Sequence, residues 1–169
     1  MIDQDFTNEL LAKHDYLDFI SHKDCLTLAC NREHWVEFAS YLSLEETFDL
    51  LVDLTAIDHG EDAEVRFSVV CHYYSRVHHD YIRAHVECAS NENPEIPSLS
   101  SVYPSADWHE RETFDMFGIQ FSNHPNMKRI LMWDEYPYFP LRKDFPLAGI
   151  DTPLPAPDVV EVTKASVEP

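Results

Sequence analysis

The residues best suited to do chemistry stand together at His109-Glu110-Arg111-Glu112, ahead of the run Phe114-Asp115-Met116-Phe117 that stops at Gly118. Two carboxylates flanking a guanidinium can act as general acid and base, provided that both face one substrate. The flanking residues predict a helix here. Ser105 can cap a helix beginning at Ala106, Asp107 suits the positive end of its dipole, and Gly118 can take the left-handed position after the last turn. At about 100° per residue, Glu110 and Glu112 then point about 160° apart, which disfavours a carboxylate-pair hydrolase. The same geometry groups Glu110 with Phe114 and Phe117. It places Arg111 within pairing reach of Asp115, and turns Glu112 with Met116 to a third side.

Other reactive residues are scattered. Ten histidines invite a metal check; His72, His79 and His85 come nearest to a set, but no paired helical spacing or carboxylate group accompanies them, and the reading is of structural or surface histidines. Cys25, Cys30, Cys71 and Cys88 match neither zinc nor iron–sulfur spacings and read as buried thiols in strands. Three glycines in the whole sequence leave no glycine-rich phosphate cradle. With 31 acids against 12 bases and a net charge of −19, affinity for nucleic acid or anionic lipid is disfavoured. The first ten residues show no basic region ahead of an apolar one, and no apolar run approaches the roughly 20 residues that cross a bilayer.

The elements that must position the charged helix can be read from periodicity. Residues 7–18 suit a first helix and Cys25–Cys30 a short strand. Asn31 can cap a second helix whose Trp35, Phe38, Ala39 and Leu42 form one apolar stripe. Period two then follows in three runs: Phe48, Leu50, Val52, Leu54 and Ala56; Val65, Phe67, Val69, Cys71 and Tyr73; Ile82, Ala84, Val86 and Cys88. These predict an antiparallel meander with one core face and a polar face carrying Arg66, His72, Arg83, His85 and Glu87. The expected class is α+β: two layers, helices on one face of a largely antiparallel, possibly mixed, sheet. Residues 1–121 form the core domain, and 122–169 an extended, proline-rich docking arm and tail.

That arm gathers Lys128, Arg129, Arg142 and Lys143 beside Trp133, Tyr136, Tyr138, Phe139 and Phe145. Two readings suit the pattern. The arm is an internal salt network clamped onto the helix, or it is a docking surface, since aromatics and arginine concentrate at interface cores.

One family matches these residues. Glu110-Arg111-Glu112, two residues, Asp115-Met116-Phe117, six residues, His124, three residues, Lys128, one residue, then Ile130-Leu131 resembles the signature of the 30 kDa subunit family, the C-type subunits of respiratory complex I, the proton-pumping NADH:quinone oxidoreductase. Leu141-Arg142-Lys143-Asp144-Phe145-Pro146-Leu147 resembles its second marker, and Leu54–Asp58 with Val65–Tyr74 its core. The resemblance implies a cofactor-free subunit of the peripheral arm, on the cytoplasmic side of a bacterial inner membrane or the matrix side of a mitochondrial one. Its neighbours would carry the terminal iron–sulfur cluster and form the quinone cavity, with FMN and the iron–sulfur clusters held in partner subunits. Glu110, Arg111, Glu112, Asp115, His124, Lys128, Arg129, Arg142, Lys143 and Asp144 then have structural and docking roles; no catalytic, cofactor or metal residue is implied. The alternatives are an equivalent subunit of an energy-converting hydrogenase or other quinone-linked dehydrogenase, and a small enzyme using the polar sheet face.

Overall fold

The structure, a computed structural model, describes residue 2 and residues 4–150. Along the chain run helix α1 (Gln4–Lys13), strands β1 (Leu17–Ser21) and β2 (Leu26–Cys30), a 3-10 turn (Arg32–His34) and helix α2 (Trp35–Leu44). Strands β3 (Leu50–Asp58), β4 (Phe67–Ser75), β5 (Asp80–Glu87) and β6 (Glu95–Pro97), helix α3 (Ala106–Phe117) and strand β7 (Gln120–Ser122) follow. The main sheet has the order β1-β2-β5-β4-β3. Its pairs are antiparallel except β2 with β5, so the class is α+β with a mixed, mostly antiparallel sheet, as expected.

The expected apolar stripe of α2 holds in full: Trp35, Phe38, Ala39 and Leu42 are completely buried. They meet Phe67, Val69, Cys71, Tyr73, Ile82, Ala84 and Val86 from the inward face of β4 and β5 in one core. Asn31 caps as predicted, its side chain accepting from the Glu33 amide at 2.9 Å, although the first turn it starts is the 3-10 one.

Two expectations fail, each for a local reason. The first helix covers Gln4–Lys13, not residues 7–18, because Leu17–Ser21 pairs with β2 and the gain from strand pairing overrides helix propensity. In β3 the pairing shifts between Leu51 and Asp53. One extra residue reverses the side-chain alternation, so Leu51, Leu54 and Ala56 face the core while Leu50 and Val52 are 41% and 44% exposed. Residues 95–97 and 120–122 form a parallel pair bridged by α3; three residues are too few for a periodic signal.

Helix α3 ends as its sequence predicts, with Gly118 left-handed at φ 76°. Its start differs. Ser105 makes no side-chain cap bond, and its hydroxyl donates instead to the Leu51 carbonyl at 3.1 Å. Thr113 likewise donates to the Leu54 carbonyl at 3.4 Å. The helix therefore covers the sheet's terminal strand, satisfying main-chain groups that an edge leaves open.

Candidate functional site

The charged triplet divides as helical geometry requires. Glu110 and Arg111 are buried and Glu112 is exposed. The Glu110 carboxylate accepts from the Leu99 amide and the Ser98 hydroxyl, both at 2.6 Å. Arg111 and Asp115 do not pair. The Arg111 guanidinium donates to the main-chain carbonyls of Lys128 and Arg129 at 3.2 and 3.4 Å, and lies over the Trp108 ring at 4.9 Å.

Asp115, completely buried, holds the descending chain. One oxygen accepts from the Arg129 guanidinium at 2.6 Å; the other accepts from three successive amides, Ile130, Leu131 and Met132, at 3.0, 2.6 and 2.9 Å. Burial alone would raise its pKa, but those amides and Arg129 outweigh it and hold the carboxyl below its ordinary range. The Arg129 guanidinium is enclosed by Phe139, Tyr136 and Phe114, with ring centroids 5.1, 5.7 and 5.9 Å away. His124 has a fully buried side chain. Its Nδ1 accepts from the Asn126 amide at 3.0 Å, and Nε2 lies 3.2 Å from the Asp107 carbonyl.

A second clamp holds residues 141–144. Arg142 donates to the Phe117 carbonyl at 2.5 Å and stacks over Phe139 at 4.4 Å. Its pKa is lowered, mainly by burial. Nearby, Asp58 accepts from Arg66 at 3.0 and 3.1 Å and from the Lys143 amide at 2.8 Å, while Arg66 also reaches Asp144 at 2.7 Å. Lys128 and Lys143 thus enter the network through main-chain groups, and their side chains are exposed.

Sequence periodicity did not single out Asp58 and Arg66 as anchors of the arm. A signal existed: Asp58 follows Leu54 and Ala56 at core parity, and a carboxylate in that position requires a cation. Burial acts to raise the Asp58 pKa, yet hydrogen bonds from Arg66, Lys143 and Gly60 bring it down to about 2 from 3.8. A depressed carboxyl contributes stability that is complete above its unfolded value and is lost as pH falls through its folded value. Between pH of about 4 and 2, denaturation of the parent chain is therefore expected to lose stability more steeply than that of Asp58→Asn; equal slopes would contradict the clamp.

The polar sheet face holds less chemistry. Arg83 donates to His72 Nε2 at 2.7 Å, which leaves the ring hydrogen on Nδ1, 3.8 Å from Asp53. Burial first, and then Arg83, lower the pKa of both His72 and His85. His59 Nε2 lies 2.9 Å from the buried Ser68 hydroxyl, beside an open depression of about 710 Å³. Among the described residues no group of three or more His, Cys, Asp and Glu is placed to hold a metal ion. Cys30, Cys71 and Cys88 are buried and Cys25 is half-buried, all as free thiols. Burial pushes Cys30 and Cys88 up to about 12, which keeps them unreactive near neutrality.

Comparison with known proteins identifies the family. Residues 28–151 match the model of the respiratory-chain NADH dehydrogenase 30 Kd subunit. The chain belongs to that family. As a member of the 30 Kd subunit family it is 42% identical over 140 residues to the C subunit of NADH-quinone oxidoreductase from Streptomyces coelicolor, covering 79% of this chain and 55% of that protein. It is 49% identical over 102 residues to the corresponding protein of Parvibaculum lavamentivorans, covering 60% and 50%. A third relative, the C/D subunit of the Sulfurihydrogenibium NADH-quinone oxidoreductase, is 42% identical over 137 residues, covering 79% of this chain and 23% of that protein. The chain spans less than two thirds of the length of each of these relatives. Among solved structures, a trypsin-resistant fragment (1-134) of Nqo5 aligns at a TM-score of 0.62 with 24% identity, over 71% of this chain and 98% of that one. A chain of the membrane-bound sulfane sulfur reductase, an archaeal respiratory membrane complex, aligns at 0.73 with 20% identity, over 85% of each. Both likenesses show the fold.

Proposed function

We propose that this chain is a cofactor-free structural subunit of the peripheral arm of a proton-translocating NADH:quinone oxidoreductase, with residues 1–121 as its core and 122–169 as its docking arm. Residues 151–169 of that arm lie outside the described residues. The observation that carries this reading is the division of the signature charges. Glu110, Arg111, Asp115, Arg129, Arg142 and Asp144 are taken up by internal bonds, while Glu112, Lys128, Lys143 and the 61% exposed Trp108 face outward. The internal bonds fix the shape of the arm, and the outward groups are the ones a neighbour can engage.

The C/D relative supports a D-type subunit as that neighbour, because one polypeptide holds a segment like this one within a much longer chain. Electron transfer through flavin and iron–sulfur clusters, and proton translocation, then belong to partner subunits. No helix of the described residues is long and apolar enough to cross a membrane; the proposed attachment, on the cytoplasmic face of an inner membrane, is through the complex.

The double change Trp108→Ala and Glu112→Ala tests the reading. Exposed side chains outside special sites cost within about 0.5 kcal/mol of fold stability, whereas central aromatics at an interface cost more than about 1–2 kcal/mol of association. The isolated chain is expected to lose no more than about 1 kcal/mol in thermal unfolding, the worth of the exposed Trp108–Arg111 contact, with the amount of assembled complex on native gels falling several-fold. Full assembly of the double variant would overturn the docking role of α3.

A further inference from the structure

Two carboxylates of α3 are completely buried, and their surroundings differ in kind. Asp115 faces a guanidinium and three amides. Glu110 faces only neutral donors, the Leu99 amide and the Ser98 hydroxyl. The nearest imidazole, His124, lies 3.8 Å from Oε2, and its hydrogen is directed at the Asp107 carbonyl because the Asn126 amide occupies Nδ1. The other titratable or charged groups around this carboxyl are Asp107 and Arg111 on α3 and Cys71 on β4.

A path leads outward from Glu110. Ser98 Oγ, 2.6 Å from the carboxylate, lies 2.7 Å from Ser100 Oγ, and Ser100 is half-buried. The Ser100 amide also donates to Ser98 Oγ at 3.1 Å, which fixes the hydroxyl between its two partners.

We propose that Glu110, Ser98 and Ser100 form a buried proton-exchange site that sets the strength of the joint between α3 and the β6–β7 pair. With Glu110 ionised, Ser98 donates to Oε2 and Ser100 donates to Ser98. On proton uptake a proton from solvent hydronium, which leaves as water, joins the Ser100 oxygen, the original Ser100 hydrogen passes as a proton to Ser98, and that of Ser98 passes to Oε2. The chain of bonds then runs in reverse, with Glu110 donating to Ser98 and Ser98 to Ser100. The number of hydrogen bonds is unchanged, and the core no longer holds a bare charge. The joint is therefore strongest when the site is loaded, because Glu110 bonds the loop leaving β6 and packs against His124 just beyond β7.

The titration falls near neutrality. Burial is the largest cause of a Glu110 pKa raised from 4.5 to about 7, against the opposing bonds from Ser98 and Leu99. A raised carboxyl pKa gives stability that is fully present below the unfolded value and is lost as pH rises through the folded one. The inference does not depend on which complex the chain joins.

The test compares pH-dependent denaturation of the full chain and Glu110→Gln, whose amide mimics the loaded carboxyl. Between pH 5 and 8 the folding constant of the parent is expected to fall by roughly a hundredfold more than that of Glu110→Gln; parallel curves would overturn the proposal. A measurement without substitution covers a variant that does not fold. The side-chain carboxyl carbons of glutamate, followed by NMR in the parent chain, should include one that titrates near pH 7. All glutamates titrating below about pH 5 would equally overturn it.

Discussion

Asp115→Ala is expected to destabilise the fold by about 3–5 kcal/mol, the cost of leaving a buried charge without its partner. The residue is completely buried, and its loss strands the Arg129 guanidinium together with the amides of Ile130, Leu131 and Met132. Domains of this size have about 5–15 kcal/mol in total, so one substitution removes a large share. Asp115→Asn should recover only part, because its amide replaces one acceptor by a donor aimed at other donors. Urea denaturation followed by tryptophan fluorescence measures both. A loss below about 1 kcal/mol for Asp115→Ala would mean that the chain from 130 to 132 is not anchored at this carboxylate.

Gly118→Ala should cost about 2–5 kcal/mol, from two sources that add. The residue sits at φ 76°, where a β-carbon is strained by about 1–2 kcal/mol. That carbon would also run into Arg142 Nη2 and lie 2.7 Å from the Phe139 ring, so the second clamp must shift, with overpacking of about 1–3 kcal/mol. Gly149 provides the control. Its φ is 75°, but nothing lies within 4 Å of an added β-carbon, so Gly149→Ala carries the backbone strain alone. Equal losses at both glycines would show that Arg142 and Phe139 are not packed against the end of α3.

The two substitutions probe what could and could not be read from the sequence. The end of α3 was legible because a glycine after an apolar helical run has few other uses, and the α2 stripe because four apolar residues recur on one face. The split between Glu110 and Glu112 followed from helical geometry alone. The partners of the buried charges were not legible. Arg111 and Asp115 are four apart and complementary, yet each bonds to chain that arrives from residues 128–132, because a buried carboxylate gains more from converging amides than from one flexible guanidinium. The bulge in β3 escaped for a similar reason. Leu50 and Val52 have the right parity and chemistry for the core, and only the register with β4 shows that one extra residue turns them outward. Of the two readings of the C-terminal segment, the internal clamp onto the helix is present at least to residue 144, through bonds to Asp115, Phe117 and Asp58.

The proposed docking role rests on the internal clamps and the outward residues of α3, and isolation of the chain in its native setting tests it most directly. A tagged chain purified gently from membranes of its source, with partners identified by mass and bound metal and flavin measured, is predicted to bring with it a D-type subunit and a fraction containing iron–sulfur clusters and FMN. The purified chain by itself should show no NADH or quinone turnover. Recovery of the chain alone, or turnover by the chain alone, would contradict the account.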